Sequence, residues 1–189
     1  MDDRLLDRIA EPFNANLPEY KTMEQMLNEI LPAVKPFSEP SLTSSEKLLN
    51  VEWVKMTDKP GETQLILYRY RASGEIRISV DGDMDSLSYT ILEDNPKRVV
   101  IGQNMYRDSK LYNLAFLDND FLILKRHGNQ DNISAKDRYL MFCSEPIGTR
   151  LTWDEALEKL VVKYRNNAMP WGWIMLVLGV ILALVFYLA

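Results

Sequence analysis

The chain has 189 residues, 47% of them apolar and 26% charged, with a formal net charge of −5. One histidine and one cysteine exclude the zinc, haem and iron–sulfur sets that need several nitrogen and sulfur donors, and they leave no pair for an internal disulfide. The acidic balance excludes nonspecific attachment to nucleic acid or anionic lipid, and no cofactor is expected.

The chain opens Met1-Asp-Asp-Arg-Leu-Leu-Asp-Arg, charged and without the apolar region of a signal peptide. Asp2 to Ala10 places Leu5, Leu6 and Ile9 on one helical face before Pro12 stops it, and we expect this short face to dock on a partner. A longer helix begins at Thr22, whose hydroxyl caps the first turn with Gln25 as the return partner of a capping box. Met23, Met26, Leu27, Ile30, Leu31 and Val34 follow at helical spacing. That stripe reads as a core face, although Met23 and Met26 also suit an adaptable partner-binding surface. Pro32, Pro36 and Pro40 are expected to break it into an extended linker, closing an N-terminal unit over residues 1–40.

From there the period changes to two, and residues 41–148 read as an antiparallel β domain. Eight strands are expected: Leu49 to Met56, Thr63 to Arg71, Glu75 to Val80, Leu87 to Leu92, Arg98 to Gly102, Lys110 to Leu117, Phe121 to Arg126 and Tyr139 to Cys143. Turn chemistry separates them at Asp58-Lys-Pro-Gly61, Ala72-Ser-Gly74, Asp81-Gly-Asp83, Asp94-Asn-Pro96 and Asp118-Asn-Asp120. The fold class is α+β: a meander that closes into a small barrel or packs one face under helices. With this strand count, the stretch Leu111 to Leu124 resembles the last hairpin of a small lipocalin-like barrel; the likeness carries neither a ligand nor a function across.

Residues 149–169 carry an amphipathic helix opened by Thr152 and Glu155, a second capping box, with Trp153, Ala156, Leu157, Leu160, Val161 and Tyr164 as its apolar stripe. It leads within a few residues to Met169-Pro170 and the uncharged run 170–189. The nineteen residues from Trp171 to Ala189 would make a helix of about 28 Å at ~1.5 Å per residue, the thickness of a hydrocarbon core. Trp171 and Trp173 stand at one end and Tyr187 at the other, where amphipathic rings favour the headgroup region. Lys159, Lys163 and Arg165 precede this run, so positive-inside reasoning puts the N-terminal domain on the cytoplasmic side of a single-pass, tail-anchored protein. Gly179 and Ala183 form a small-xxx-small pair through which the span could pack on another helix.

The chemistry-bearing residues are sparse. His127 lies in a polar turn with no relay motif joining it to Cys143, and it reads as a solvated loop residue. Asp81-Gly-Asp-Met-Asp85 opens like a calcium loop, but Ser86 and Leu92 occupy the positions that need glycine and glutamate; an acidic hairpin turn accounts for it better. Asn132-Ile133-Ser134 matches a glycosylation acceptor that a cytoplasmic domain would not use. Arg69 and Arg71 alternate with Tyr68 and Tyr70, which puts bases and rings on opposite faces; with Arg77 the bases read as a wet face. No phosphate-cradling glycine loop is present.

These features favour a non-catalytic accessory subunit, assembly factor or adaptor, with other membrane protein subunits as partners and no nucleic acid. The rival is a membrane-tethered barrel holding an apolar or lipidic ligand. An open interior of about 300 Å³ or more would favour the rival, and one filled by Trp53, Tyr68, Tyr70 and Phe116 would oppose it. A hydrolase using Asp81, Asp83 or His127 is the least supported reading.

Overall fold

The computed structural model describes residues 20–165, apart from 44–45, 50, 60, 62–63, 104–107, 129–132 and 135–136. Leu5, Leu6 and Ile9, the apolar C-terminal run with its Trp171, Trp173, Tyr187, Gly179 and Ala183, and Asn132 therefore lie outside the described residues. Among the described residues no helix is long and apolar enough to cross a membrane.

The expected strands form a closed, antiparallel, eight-stranded barrel in simple sequence order. They are β1 (Trp53–Lys55), β2 (Ile66–Tyr70), β3 (Glu75–Val80), β4 (Asp83–Ile91), β5 (Arg98–Gly102), β6 (Lys110–Leu117), β7 (Phe121–Arg126) and β8 (Tyr139–Ser144). Closure is made by β8 on β1, with Trp53 opposite Ser144 and Lys55 opposite Phe142. The first strand is shorter than its pattern implied: Glu46–Leu49 forms a one-turn helix, α2, that takes Leu49, and Val51 and Glu52 stay outside the ladder. Asp81 and Gly82 both take positive φ, 50° and 102°. Such a pair makes the two-residue turn whose twist suits a hairpin. Only Asp81 and Gly82 form the β3–β4 turn, and β4 begins at Asp83 rather than at the expected Leu87, so Asp83 and Asp85 lie on the strand opposite Val80 and Ile78.

Alternation sorts each strand into an inner and an outer set. Trp53, Tyr70, Ile76, Ile78, Tyr89, Val99, Ile101, Tyr112, Leu122, Leu124 and Phe142 form the barrel interior. Val54, Phe121, Ile123, Tyr139, Met141 and Cys143 face outward and are covered by helices. Phe116 departs from expectation. The register shifts between Leu114 and Phe116, so the bulge at Ala115 turns Phe116 out under the helices and brings Leu117 in.

Two helices cover the outer face of β6, β7, β8 and β1: α1 (Met23–Val34) and α4 (Trp153–Arg165), the latter preceded by the short α3 (Glu145–Gly148). Pro32 does not end α1, which runs on to Val34 and then into a 3₁₀ turn over Lys35–Phe37. An interior proline costs about 3 kcal/mol. The six buried side chains of α1 return roughly 10–15 kcal/mol of gross burial, which outweighs it, and Pro32 stays on the exposed side. Both capping boxes form by halves. Thr22 accepts from the Gln25 amide, whereas at α4 Glu155 accepts from the Thr152 amide. A long-range cap completes α1, since Asp58 from the β1–β2 connection accepts from the Met23 amide at 2.9 Å.

The two ends of the barrel differ. At the end carrying the β6–β7 turn, Leu42 and Leu48 enter the interior cluster, and the Trp53 indole donates to the Leu48 carbonyl. This end is plugged. The other end, where the β3–β4 turn lies, is the mouth.

Candidate functional site

Four inward-facing tyrosines come from three strands: Tyr68 and Tyr70 from β2, Tyr89 from β4 and Tyr112 from β6 supply phenols that no single segment contains. At the mouth Tyr68, Tyr70 and Tyr112 border a cup of about 290 Å³. Tyr68, Tyr112, Leu87, Ile101, Leu140, Phe142 and Tyr70 line it, and Gln103, Asp108 and Lys110 stand among the polar lining residues. Tyr68 packs edge-on against Phe142 at 5.0 Å, and Tyr70 edge-on against Tyr89 at 5.2 Å. Tyr89 donates to the Arg71 carbonyl, which satisfies its hydroxyl.

Tyr70 differs. It is 2% exposed, and its hydroxyl is fully enclosed with no hydrogen-bond partner among the described residues. Burial pushes this phenol far above its ordinary range, and the neighbouring Tyr68, Tyr112 and Tyr89 add to the shift. Burial also raises Tyr68, with the Asp85 carboxylate contributing, so these groups stay neutral hydrogen-bond donors at any physiological pH.

The cup's depth is limited by what lies beneath it. Trp53, Phe142, Leu122 and Ile76 are at most 1% exposed and fill the middle of the barrel down to the plug. Of the residues expected to fill the interior, Trp53, Tyr68 and Tyr70 do so; Phe116 does not, because of the bulge.

A second polar centre sits at the plugged end, in the β6–β7 turn. Asp118 is 5% exposed, and its Oδ1 accepts from the Asp120 and Phe121 amides, both at 2.8 Å, in an Asx turn that forms the hairpin. Its Oδ2 accepts from Tyr164 at 2.6 Å and from Lys163 at 2.7 Å, while Asp120 takes a second Lys163 bond at 2.6 Å. Burial opposes the charge on Lys163, but the hydrogen bonds to Asp118 and Asp120 outweigh it and raise its pKa. Tyr164 is also stacked on Phe37 at 4.8 Å and edge-on to Phe116 at 5.6 Å. The last turn of α4 is thereby fastened to the barrel by side chains from three elements.

The remaining expectations separate in space. Met23 and Met26 are 7% and 1% exposed and pack inside the helix–barrel core. Cys143 is buried beneath the helices, and burial, with Asp118 and Asp120 adding, pushes its thiol up to about 12. His127 is exposed at the far end of β7, with Nδ1 3.1 Å from the Asn113 side-chain amide. Phe121, opposite Cys143, is six residues away along that strand, which puts roughly 20 Å between the two groups. Arg69 lies directly opposite Arg77, and both are on the outer face with Arg71, around a shallow groove of about 250 Å³. Arg69 pairs with Glu52, and Arg77 with Glu75 at 3.5 Å. Among the described residues no three of the Asp, Glu, His and Cys side chains cluster to hold a metal.

Sequence reasoning assigned Tyr68 and Tyr70 to the core face, did not single out Tyr89 or Tyr112, and passed over Asp118 except as turn chemistry. Two larger grooves lie outside the barrel wall. One of about 550 Å³ runs between β1 and the start of α4, and one of about 530 Å³ lies between α1 and β6–β7, bordered by Lys35 and Lys125. No protein family, curated protein or solved structure matches the chain.

Proposed function

We propose that this chain is a non-catalytic domain held at a membrane by its C-terminal apolar run, serving as an accessory subunit, assembly factor or adaptor of a larger membrane complex. The observation that carries this reading is the Asp118 fastening. It lies at Lys163 and Tyr164, a few residues before the uncharged run from Ala168 onward. A domain on a loose tether needs no such joint. Here the helix that precedes the run in sequence is bonded to the barrel through Lys163 and Tyr164.

The course of α4 also gives the domain a direction. Its first turn, at Trp153 and Asp154, borders the groove shared with Lys55 to Lys59, and its last turn reaches the β6–β7 turn at the plugged end. The last described turn of the helix, which precedes the apolar run in sequence, is thus at the plugged end. The isolation of His127 from the neutral, buried Cys143 supports a role other than nucleophilic catalysis. An interior filled below the cup favours the adaptor over a deep lipid carrier.

The test is mild detergent extraction of the full chain, tagged at the N-terminus, from its own membrane, with mass spectrometry of co-purifying proteins. Stoichiometric membrane proteins are expected. Recovery of the chain alone would overturn the adaptor reading.

A further inference from the structure

We propose that the mouth of the barrel is a binding site for a compact, flat, largely apolar solute carrying at least one hydrogen-bonding oxygen. Volume sets the size of the occupant. At about 290 Å³ the cup is at the lower limit of small-molecule sites, which run from roughly 300 to 1,000 Å³. A long acyl chain would have to continue past Tyr70 and Phe142, and there Trp53, Leu122 and Ile76 already fill the interior. The occupant is therefore short.

Lining chemistry sets its character. Leu87, Ile101 and Phe142 offer apolar and aromatic surface, which favours a flat ring that can stack or meet ring edges. Tyr68 and Tyr112 add phenols at the wall. Tyr70 carries the argument further, because a fully buried hydroxyl without a partner costs about 1–3 kcal/mol relative to a satisfied one. Phenylalanine would pack the same volume without that cost. A tyrosine in a lining position whose hydroxyl has no protein partner is explained when a small rearrangement of the floor lets it bond an oxygen of the occupant. The site needs neither the anchor nor a protein partner, so it stands or falls apart from the adaptor reading.

The experiment uses the full chain in detergent micelles, with ¹³C-labelled leucine and isoleucine methyls, titrated with 2-naphthol. Saturable shifts at the Leu87, Ile101 and Leu140 methyls are expected, with the Leu5, Leu6 and α1 methyls unmoved. Tyr70→Phe should keep the fold and weaken binding about two- to tenfold, the worth of one hydrogen bond. Leu87→Trp, at a half-exposed position that tolerates a larger ring, should fill the cup and abolish the shifts. Absence of saturable shifts at the three cup methyls would overturn the proposal, as would unchanged affinity in Tyr70→Phe. Should Leu87→Trp fail to fold, the Tyr70→Phe titration decides alone.

Discussion

Replacing Asp118 by alanine should unfasten α4 from the barrel, and the structure sets the size of the loss. The carboxylate serves four donors: the Asp120 and Phe121 amides, the Tyr164 hydroxyl and the Lys163 ammonium. Asp120 is partly exposed, so water can replace that bond, and Lys163 keeps Asp120 as a partner while its side chain is 34% exposed, which makes the lost ion pair worth little. Phe121 and Tyr164 are buried, at 0% and 7%, and their donors are left unsatisfied. At about 1–3 kcal/mol for each of the two orphaned groups, the loss comes to ~2–6 kcal/mol. With a urea m-value of about 2 kcal/mol/M, the midpoint should fall by roughly 1–3 M. Urea unfolding of the full chain in micelles, followed by far-ultraviolet circular dichroism, reads this directly. Asp118→Asn keeps an oxygen for the turn amides and should cost about half as much. Lys163→Ala should cost under ~1 kcal/mol. A loss below about 1 kcal/mol for Asp118→Ala, or an equal loss for Lys163→Ala, would refute the assignment of the energy to the two buried donors.

Tyr70→Phe removes an unsatisfied buried hydroxyl and should leave the ligand-free protein as stable as before or up to ~1 kcal/mol more stable in the same urea assay. Gly148→Ala should destabilise by roughly 1–3 kcal/mol, because its Cβ would stand 2.4 Å from the Val54 Cβ, a branched atom fixed in β1; a near-wild-type midpoint would show that α3 can move away. Stability should be flat through neutral pH and fall as pH rises above about 9, the ordinary value for the Cys143 thiol, towards its folded value of about 12. The folded state there holds the proton that the unfolded chain releases, so alkali favours unfolding, and the raised tyrosines add to the effect. Cys143→Ala should make the decline shallower between those limits. By the same reasoning the thiol should resist iodoacetamide at pH 8 until urea unfolds the barrel; rapid labelling of the native protein would contradict its burial.

The strands were legible because their cause is local. Glu75–Val80, Arg98–Gly102, Lys110–Leu117 and Phe121–Arg126 appear where alternation and the flanking Asp, Asn and Gly turns put them. The stripe of α1 was also legible, and all six of its apolar residues are buried. Pro32 misled as a stop signal, since proline's cost is fixed while the burial that opposes it depends on a sheet far away in the chain. Phe116 was misplaced for a related reason: alternation assumes an unbroken ladder, and the bulge at Ala115 exists only in the pairing with β7.

What the sequence by itself determined, among the described residues, is the eight strands and two longer helices, their order and most of the faces they bury, because periodicity and turn chemistry act over a few residues. Tertiary structure alone decided that β8 closes on β1, that one end is plugged by Leu42 and Leu48, and that four tyrosines separated by up to 44 positions share one interior. It also decided that Asp118, a turn residue in sequence, is the buried acceptor for the end of a helix 45 residues later. Neither convergence leaves a local trace. Each tyrosine alone satisfies the requirement for an inward apolar residue, and Asp118 alone satisfies the requirement of its turn, so only closure of the barrel reveals the second partner of each.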